Sequence, residues 1–463
     1  MEGAVGFLTI GAILALLLTN RVTAVVALAG VPVLGALVLG FSLSEIGTFV
    51  GSGLGGVAGV TAMFVFAIVY FGVMRDAGMF DPVITRITAL AGNAPTTVCV
   101  ATTALACVAH LDGAGATTFL IAIPAMLPVF DRLGMSRLAL ATCVGLGAGV
   151  MNMLPWGGPT ARAAATTGID ANDLWVPLIP AQAVGVVAAL GCAWLIGRRE
   201  RRRLAAQGDP VVIAAAGTAG TAGTSGAAGP GSAPGAGDPA AAPAPAADPD
   251  RTRPPKPLFW FNAALSVLLI GALMAGIAPP ETLFMAGVVI ALAVNHPGMK
   301  RQGERIEAHA RGAMLMATTL LAAGSFLGIL EGTGMIEHMA TTAADLIPAG
   351  AAPALPLIVG LIGVPLSLLF GPDAYYFGVL PVLMGVGEQF GVDGVAIAQA
   401  SLLGEETVGF PVSPLTGSFF LLVGLAQVDI GRHIRHMIGW SWLVSVVMLA
   451  FAVATGVIPL WAS

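Results

Sequence analysis

Asn152-Met-Leu-Pro155-Trp-Gly-Gly-Pro159-Thr160 interrupts one apolar run of this chain, and Val408-Gly-Phe-Pro411-Val-Ser-Pro414-Leu-Thr416 interrupts another. The two stretches align at an offset of 256 residues, which pairs Pro155 with Pro411 and Thr160 with Thr416. The same offset aligns the segments that begin at Gly72 and Gly328. A Pro- and Gly-interrupted hydrophobic segment at corresponding positions of two halves is typical of the substrate site of a secondary transporter. The repeat therefore predicts a protein that carries a solute.

The composition places the chain in a membrane. It is 57% hydrophobic and 10% charged, whereas a soluble protein carries about 25% charged residues. Apolar runs close to the roughly 20 residues that cross a bilayer recur along its whole length. The four cysteines lie in apolar runs without CxxC spacing, which predicts buried free thiols. Nothing in the composition indicates nucleic-acid binding.

The apolar runs predict two similar halves. In the first half we expect spans near 4–19, 22–41, 56–74, 138–154 and 175–197, with a re-entrant hairpin over 95–130 that breaks at Leu111-Asp-Gly-Ala-Gly-Ala116. In the second half we expect spans near 259–277, 281–296, 313–330, 394–410 and 436–460, with a hairpin over 351–387 that breaks at Phe370-Gly-Pro-Asp373. The predicted fold is an all-α polytopic membrane protein whose helices are broken at the midplane.

Charge placement fixes the predicted orientation. Five crossings per half is an odd number, so the second half must be inverted relative to the first. If Arg198-Arg-Glu-Arg-Arg-Arg203 is cytoplasmic, all but one of the 20 Lys and Arg residues lie on that side, as the positive-inside rule requires. Both termini then lie outside, and the exception is Arg162, next to the first break.

The segment between the halves differs from both of them. Its 204–256 stretch is nearly all Ala, Gly, Pro, Ser, Thr and Asp and has no periodicity, which is typical of a disordered linker. We therefore divide the chain into an N-terminal membrane repeat (1–197), a cytoplasmic linker (198–256) and an inverted C-terminal membrane repeat (257–463).

The first break has the residues of a carboxylate site. Unwound backbone in a membrane leaves N–H and C=O groups that must be satisfied, and helix N-termini at the break favour anions. Gly157 and Gly158 permit close approach, and Arg162 can bind a carboxylate through two N–H groups. The other candidate substrate-binding residues are Asn152, Pro155, Pro159, Thr160, Tyr375, Ser413, Pro414 and Thr416.

Four acids add a second kind of chemistry. Asp112 and Asp373 lie at the two hairpin tips, and Glu405 and Glu406 precede the second break. Ionisable residues inside a membrane are costly and mark functional sites. These carboxylates suit either a hard divalent cation such as Mg²⁺ or Ca²⁺ or a transported proton. Asp112, Asp373 and His110 are the candidates for proton coupling.

At these residues the chain resembles the citrate–metal–proton symporter family, CitMHS, of the ion transporter superfamily. The similarity covers both halves and is carried by Leu111–Thr118, Asn152–Ala163, Phe370–Pro381, Ser413-Pro-Leu-Thr and Leu421-Leu-Val-Gly-Leu425. It implies uptake of citrate as a complex with a divalent metal, coupled to protons. It also implies a homodimer in the bacterial inner (plasma) membrane, a static scaffold, a mobile transport domain that moves as an elevator, and no prosthetic group.

The chain departs from the family pattern at two places. Gly404-Glu405-Glu406-Thr407 stands where a glutamine is expected after the glycine, and Thr416-Gly-Ser418 replaces a commoner proline-alanine version. We expect the additional acids to alter the metal that is preferred, the number of protons transported or the substrate.

Two other functions fit the same residues. A sodium-coupled di- or tricarboxylate transporter would use carbonyl-lined sodium sites at the breaks. An inorganic-ion carrier or channel would select cations with Asp112 and Asp373. The sequence has no HExxH, no GxSxG and no Walker A motif, so we expect no enzyme, and we expect a gradient rather than ATP to drive transport.

Overall fold

The computed structural model describes residues 2–19, 21–206, 256–344 and 352–461, and these residues form helices and no strands. The helices of the first half are α1 (Glu2–Leu18), α2 (Ala24–Val38), α3 (Leu43–Asp76), α4 (Asp81–Leu90), α5 (Pro95–Ala109), α6 (Gly115–Arg132), α7 (Arg137–Met151), α8 (Gly158–Thr167), α9 (Ala171–Trp175) and α10 (Ile179–Ala206). Those of the second half are α11 (Lys256–Met274), α12 (Pro280–Asn295), α13 (Met299–Gly332), α14 (Met335–Ala344), α15 (Leu355–Leu366), α16 (Leu380–Gln389), α17 (Gly394–Leu402), α18 (Gly417–Ala426) and α19 (Ile430–Ala454).

The order of helices repeats at the offset seen in the sequence. Helices α3 and α13 each have 34 residues, and both ends of α13 lie 256 positions after those of α3. Each is followed by a ten-residue helix, α4 or α14, which the span pattern did not predict. A helix pair and a broken span then follow in both halves.

The two long helices cross at glycines. A Cβ atom on Gly53 would lie 2.9 Å from Gly328 N, and one on Gly72 would lie 2.6 Å from the His309 ring, so the backbones approach closely at both points. Going from 53 to 72 along α3, the partner changes from 328 to 309, so α3 and α13 run antiparallel. At the offset of 256, position 53 corresponds to 309 and position 72 corresponds to 328. The contact of Gly53 with Gly328 is therefore the counterpart of the contact of His309 with Gly72. Reciprocal contacts of this kind are expected of elements related by a two-fold axis, and inversion of the remaining helices stays a prediction.

The helices pack in two groups. In the first, which we call the scaffold group, α3 packs on α12 and α13, α2 packs on α1 and α13, and α11 packs on α12. In the second, the site group, α5 packs on α7 and α10, α6 packs on α7 and α18, α15 packs on α17 and α19, and α10 packs on α19. The four predicted interruptions all belong to the site group.

Length and composition support several membrane crossings. Five helical stretches of the described chain are long and apolar enough to span: Leu43–Asp76, Ala171–Ala206, Pro257–Met274, Met299–Gly332 and Ile430–Ala454. Other apolar helices, such as α7 and α18, have 10–17 residues. Each break has a short helix on either side, α7 and α8 at the first break and α17 and α18 at the second. Each such pair forms a broken span of the predicted kind.

Two changes in the predicted boundaries affect the description of the site. Helix α10 continues to Ala206, so Arg198–Arg203 belongs to a helix and not to the predicted linker, since arginine is a good helix former. Helix α17 ends at Leu402 and α18 begins at Gly417, so the second break includes Glu405 and Glu406 instead of following them. The rest of the predicted linker, 207–255, lies outside the described residues.

Candidate functional site

All four interruptions meet at one small cavity, with a volume of about 10 Å³. The tip of the first hairpin, the first break, the tip of the second hairpin and the second break each contribute to its wall. The lining residues are Gly113, Gly115, Asn152, Gly158, Pro159, Arg162, Pro372, Glu406, Phe410 and Ser418. Segments up to about 300 residues apart in sequence therefore enclose a single space inside the site group.

Three helices begin at this cavity. Helix α6 starts at Gly115, α8 at Gly158 and α18 at Gly417, and none of these three helices has a side-chain cap. The first N–H groups of a helix have no partner within the helix, and the macrodipole places partial positive charge there. Gly115, Gly158 and Ser418 lie in the cavity wall. This arrangement favours an anion.

An ion pair lies beside the cavity, between Arg162, which lines it, and Asp373, which follows the lining residue Pro372. The Arg162 side chain is 1% exposed, and its Nε donates to Asp373 Oδ1 at 2.6 Å. Its Nη1 donates to Gly158 O at 3.1 Å, across the first turn of α8. The pair joins the first break to the tip of the second hairpin, so the two halves of the chain meet at opposite charges.

His110 connects the first hairpin to both breaks. Its Nδ1 lies 2.8 Å from Thr118 Oγ1, and its Nε2 lies 3.1 Å from Asn152 Oδ1. Asn152 Nδ2 in turn donates to Glu406 O at 2.7 Å. The histidine is fully buried. These contacts place His110 one side chain away from the cavity wall.

Asp112 caps the first hairpin tip. Its Oδ1 accepts from Ala114 N at 2.9 Å, and its Oδ2 accepts from Arg75 Nη1 at 3.2 Å. Arg75 Nη1 also donates to Thr117 Oγ1 at 3.0 Å. Asp112 is therefore held in the loop by α3, on the scaffold side, and it is not among the residues that line the cavity.

The second break buries its two glutamates. Ser367 Oγ donates to Glu405 Oε2 at 3.3 Å and accepts from Glu406 N at 2.9 Å. Tyr376 OH donates to Glu405 O at 2.9 Å. Glu406 has a φ of +49°, which is uncommon for a residue with a side chain and marks strained backbone at functional sites. Of the two side chains, Glu406 lies at the cavity.

The remaining candidates shape the breaks. Thr160 Oγ1 donates to Met153 O at 3.0 Å and Thr416 Oγ1 donates to Phe410 O at 3.1 Å, so the two threonines play corresponding parts in the two halves. Ser413 Oγ accepts from Leu415 N at 3.3 Å, next to the partly buried Pro414.

Gly157 of the first break and Tyr375 of the second hairpin make contacts that stabilise the local fold. Gly157 N donates to Leu154 O at 2.7 Å beside the buried Pro155, and a Cβ on Gly157 would lie 2.9 Å from the same carbonyl oxygen. Tyr375 lies 2.8 Å from Ser401 Oγ through its hydroxyl and is fully buried. Its contacts therefore give a substrate-binding role no support.

The four predicted metal-binding acids do not form one cluster. Asp112 pairs with Arg75, Asp373 pairs with Arg162, and the two glutamates lie in the second break. Within the described parts of the chain, no group of three or more His, Cys, Asp or Glu side chains is placed to hold a metal ion.

The sequence reasoning missed several contributors to the site, of which Trp156 and Ser418 are the most informative. Trp156 Nε1 donates to Leu111 O at 2.8 Å, and its ring stacks on Phe71 at 5.0 Å between centroids. Ser418 lies in the cavity wall at the position that corresponds to Arg162 in the other half. The 256-residue offset was the available signal for Ser418, whereas nothing in the sequence indicated the contacts of Trp156.

Proteins of known family and structure define the class. The citrate transporter family, CitMHS, matches residues 7–404. The chain is 39% identical to the citrate transporter of Bacillus subtilis (strain 168), over 99% of this chain and all of the relative. It is 37% identical to the Mg(2+)/citrate complex secondary transporter of the same organism, again over 99% and 100% of the two chains. The crystal structure of the Alcanivorax borkumensis YdaH transporter, described as having an unusual topology, has a TM-score of 0.55 at 16% identity and covers 90% of this chain and 89% of that one.

The fold and these relatives define a multi-pass membrane protein that is a secondary transporter and not an enzyme. The chain belongs to the citrate transporter family, CitMHS. The family resemblance seen at the two breaks and hairpin tips is therefore confirmed.

Proposed function

We propose that this chain takes up citrate as a complex with a divalent metal ion, in symport with protons. The two Bacillus relatives, whose names specify citrate and Mg(2+)/citrate, support the substrate. Three uncapped helix N-termini around a cavity with one buried arginine support an anion. The nearby carboxylates of Asp373 and Glu406 support a cation that travels with it.

The observation that carries this proposal is the ion pair of the buried Arg162 and the partly buried Asp373, with Nε and Oδ1 separated by 2.6 Å. A citrate carboxylate is the natural partner of the guanidinium, and the metal is the natural partner of Asp373. When the complex enters between them, each side chain exchanges its protein partner for a ligand of the same charge type. Binding then leaves neither charge buried without a partner, which would cost several kcal/mol.

Charge also explains why a complex is carried instead of the free anion. Citrate at neutral pH is nearly trivalent, and moving three charges through a low-dielectric barrier is prohibitive. A divalent metal reduces the charge to roughly −1. Arg162 and a co-transported proton offset the remainder. Asp373 and His110 are the proposed groups for the proton, whereas Asp112 is held as the cap of the first hairpin tip.

The proposed movement follows the two packing groups. The site group carries the cavity and moves relative to the scaffold group, exposing the cavity first to one side and then to the other. Trp156 lies against Phe71 of α3 and, at 5.4 Å between ring centroids, against Phe284 of α12, so the first break adjoins the scaffold. We place both termini outside and the linker in the cytoplasm, and we propose a homodimer joined through the scaffold.

The test is radiolabelled citrate uptake by proteoliposomes at fixed citrate, with Mg²⁺, Ca²⁺, Zn²⁺, Na⁺ or a chelator. The expected result is uptake that requires a multivalent metal, is lost with chelator and falls when a protonophore dissipates the proton gradient. Uptake that ignores multivalent metals and follows Na⁺ would replace the proposal with a sodium-coupled carboxylate carrier. Labelled metal in a parallel assay should enter only when citrate is present.

A further inference from the structure

The end of α10 carries a cleft that shares no lining residue with the transport cavity. The cleft is lined by Leu195, Arg198, Arg199 and Arg202, and we call it the arginine cleft. We propose that the arginine cleft binds the phosphate of an anionic phospholipid. Arginine is suited to this ligand because its planar N–H groups match phosphate oxygens in pairs.

Two tryptophans hold arginines of the cleft in place. Arg199 Cζ lies 4.6 Å from the centre of the Trp440 ring, and Arg198 Cζ lies 5.3 Å from that of Trp194. Trp440 belongs to α19, so the cleft forms where α10 packs against a helix of the other half. Stacking uses the face of the guanidinium and leaves its N–H edge for a ligand. The positive charges are thus held in position before a ligand binds.

Within the residues that the structure describes, no carboxylate neutralises the positive charge of the cleft. In the described chain, Arg198, Arg199 and Arg202 form no ion pair with a carboxylate. The acid within this segment, Glu200, is 8% exposed and is used elsewhere. It accepts from Ser136 N at 2.8 Å and from Arg203 Nη2 at 2.9 Å. Three adjacent cations without a counter-charge favour a ligand with anionic oxygens.

The apolar border of the cleft identifies a lipid rather than a soluble phosphate. Trp194 and Leu195 are 45% and 41% exposed and lie one helical turn before Arg198, at the end of the apolar stretch of α10. Tryptophan at this depth is typical of the membrane interface, and basic residues just beyond it attract anionic headgroups. A phospholipid fills both parts, with its phosphate at the arginines and its acyl chains along Trp194 and Leu195. A free phosphate would leave the apolar part unused.

The test is native mass spectrometry of the full chain titrated with phosphatidylglycerol or with zwitterionic phosphatidylcholine. The cleft variant is Arg198→Gln/Arg199→Gln/Arg202→Gln. The matched control, Lys300→Gln/Arg301→Gln/Arg311→Gln, removes the same charge from exposed positions of α13. We expect the unmodified protein to prefer phosphatidylglycerol, the cleft variant to bind it at least about tenfold more weakly, and the control to differ by less than about twofold. Equal losses in both variants, or no loss in the cleft variant, would overturn the proposal.

Two further arms separate the possible sources of the phosphate and test the role of the stacked tryptophan. Glycerol phosphate at concentrations matched to the lipid should not displace phosphatidylglycerol, and full displacement would identify a soluble-phosphate site instead. Trp440→Leu keeps every charge but removes the stacking on Arg199, and we expect about two- to fivefold weaker lipid binding. Unchanged binding in this variant would contradict the preformed cleft. Citrate uptake shows that each variant is folded, because these residues lie outside the transport cavity.

Discussion

Arg162 is the residue on which the proposed substrate chemistry depends most. Arg162→Lys keeps the positive charge but replaces a planar group that donates to Asp373 and Gly158 at once. Lysine cannot reproduce this geometry, so we expect citrate uptake to fall at least about tenfold. Arg162→Ala leaves Asp373 without its buried partner, at a cost of about 3–5 kcal/mol, and we expect no uptake.

The exposed Arg435 provides the control, since its Nε bonds only within α19, to Gly431 O at 3.1 Å. Arg435→Lys should transport as the unmodified protein does, and the uptake by each variant is divided by its amount in the membrane on immunoblots. Near-normal uptake by Arg162→Ala would remove Arg162 from the substrate site.

Asp112 allows the sequence-based and the structure-based roles to be separated. The sequence predicts that Asp112 binds a metal ion or carries a proton. The structure shows instead that it caps a loop and is bound to Arg75 and Ala114. Asp112→Asn removes a charge-assisted contact worth about 1.5–3 kcal/mol. We expect a lower unfolding temperature and less protein, with an unchanged order of preference among metals in the uptake assay. An altered metal preference in protein of normal stability would favour direct metal binding.

At the scale of elements, the crossing of α3 and α13 rests on single glycines. Gly53 has no room for a Cβ, because Gly328 N would lie 2.9 Å away, whereas Gly56 has open space around it. Gly53→Ala should therefore force the helices apart and cost about 1–3 kcal/mol. Gly56→Ala should be neutral or stabilising by up to about 1 kcal/mol, through helix propensity alone. Thermal unfolding of the two variants in detergent measures the difference, and equal melting temperatures would contradict the close crossing.

The elements also show how much the sequence could predict. Both breaks and the tip at Leu111–Ala116 were predictable, because Pro removes a helix hydrogen bond and Gly has a low helix propensity. The extension of the second break back to Gly404 was not, since its strained Glu406 is stabilised by Ser367, a residue distant in sequence. The partners of Asp112 and Asp373 were equally inaccessible, because ion pairs across 37 and 211 positions depend on packing that one sequence does not specify.

At the scale of the whole molecule, proposed transport requires the site group to move past the scaffold group. Phe71 of α3 and Trp156 of the first break stack across this boundary, with ring centroids 5.0 Å apart. Tyr70 and Phe284 meet within the scaffold group at 6.1 Å. A covalent link should therefore stop transport at the first pair and leave it intact at the second, because only the first pair must separate.

Cysteine pairs at these positions test the movement. We expect Hg²⁺ to abolish citrate uptake in Phe71→Cys/Trp156→Cys, dithiothreitol to restore it, and Tyr70→Cys/Phe284→Cys to be affected by less than about twofold. The native Cys99, Cys107, Cys143 and Cys192 are all buried, so the unmodified protein treated with Hg²⁺ is the control for the reagent. Because the first pair adjoins the cavity, each variant is compared with its own uptake before treatment. Full uptake by a cross-linked Phe71→Cys/Trp156→Cys protein would mean that the two groups do not separate there, and that the cavity opens by movement of the hairpin tips alone.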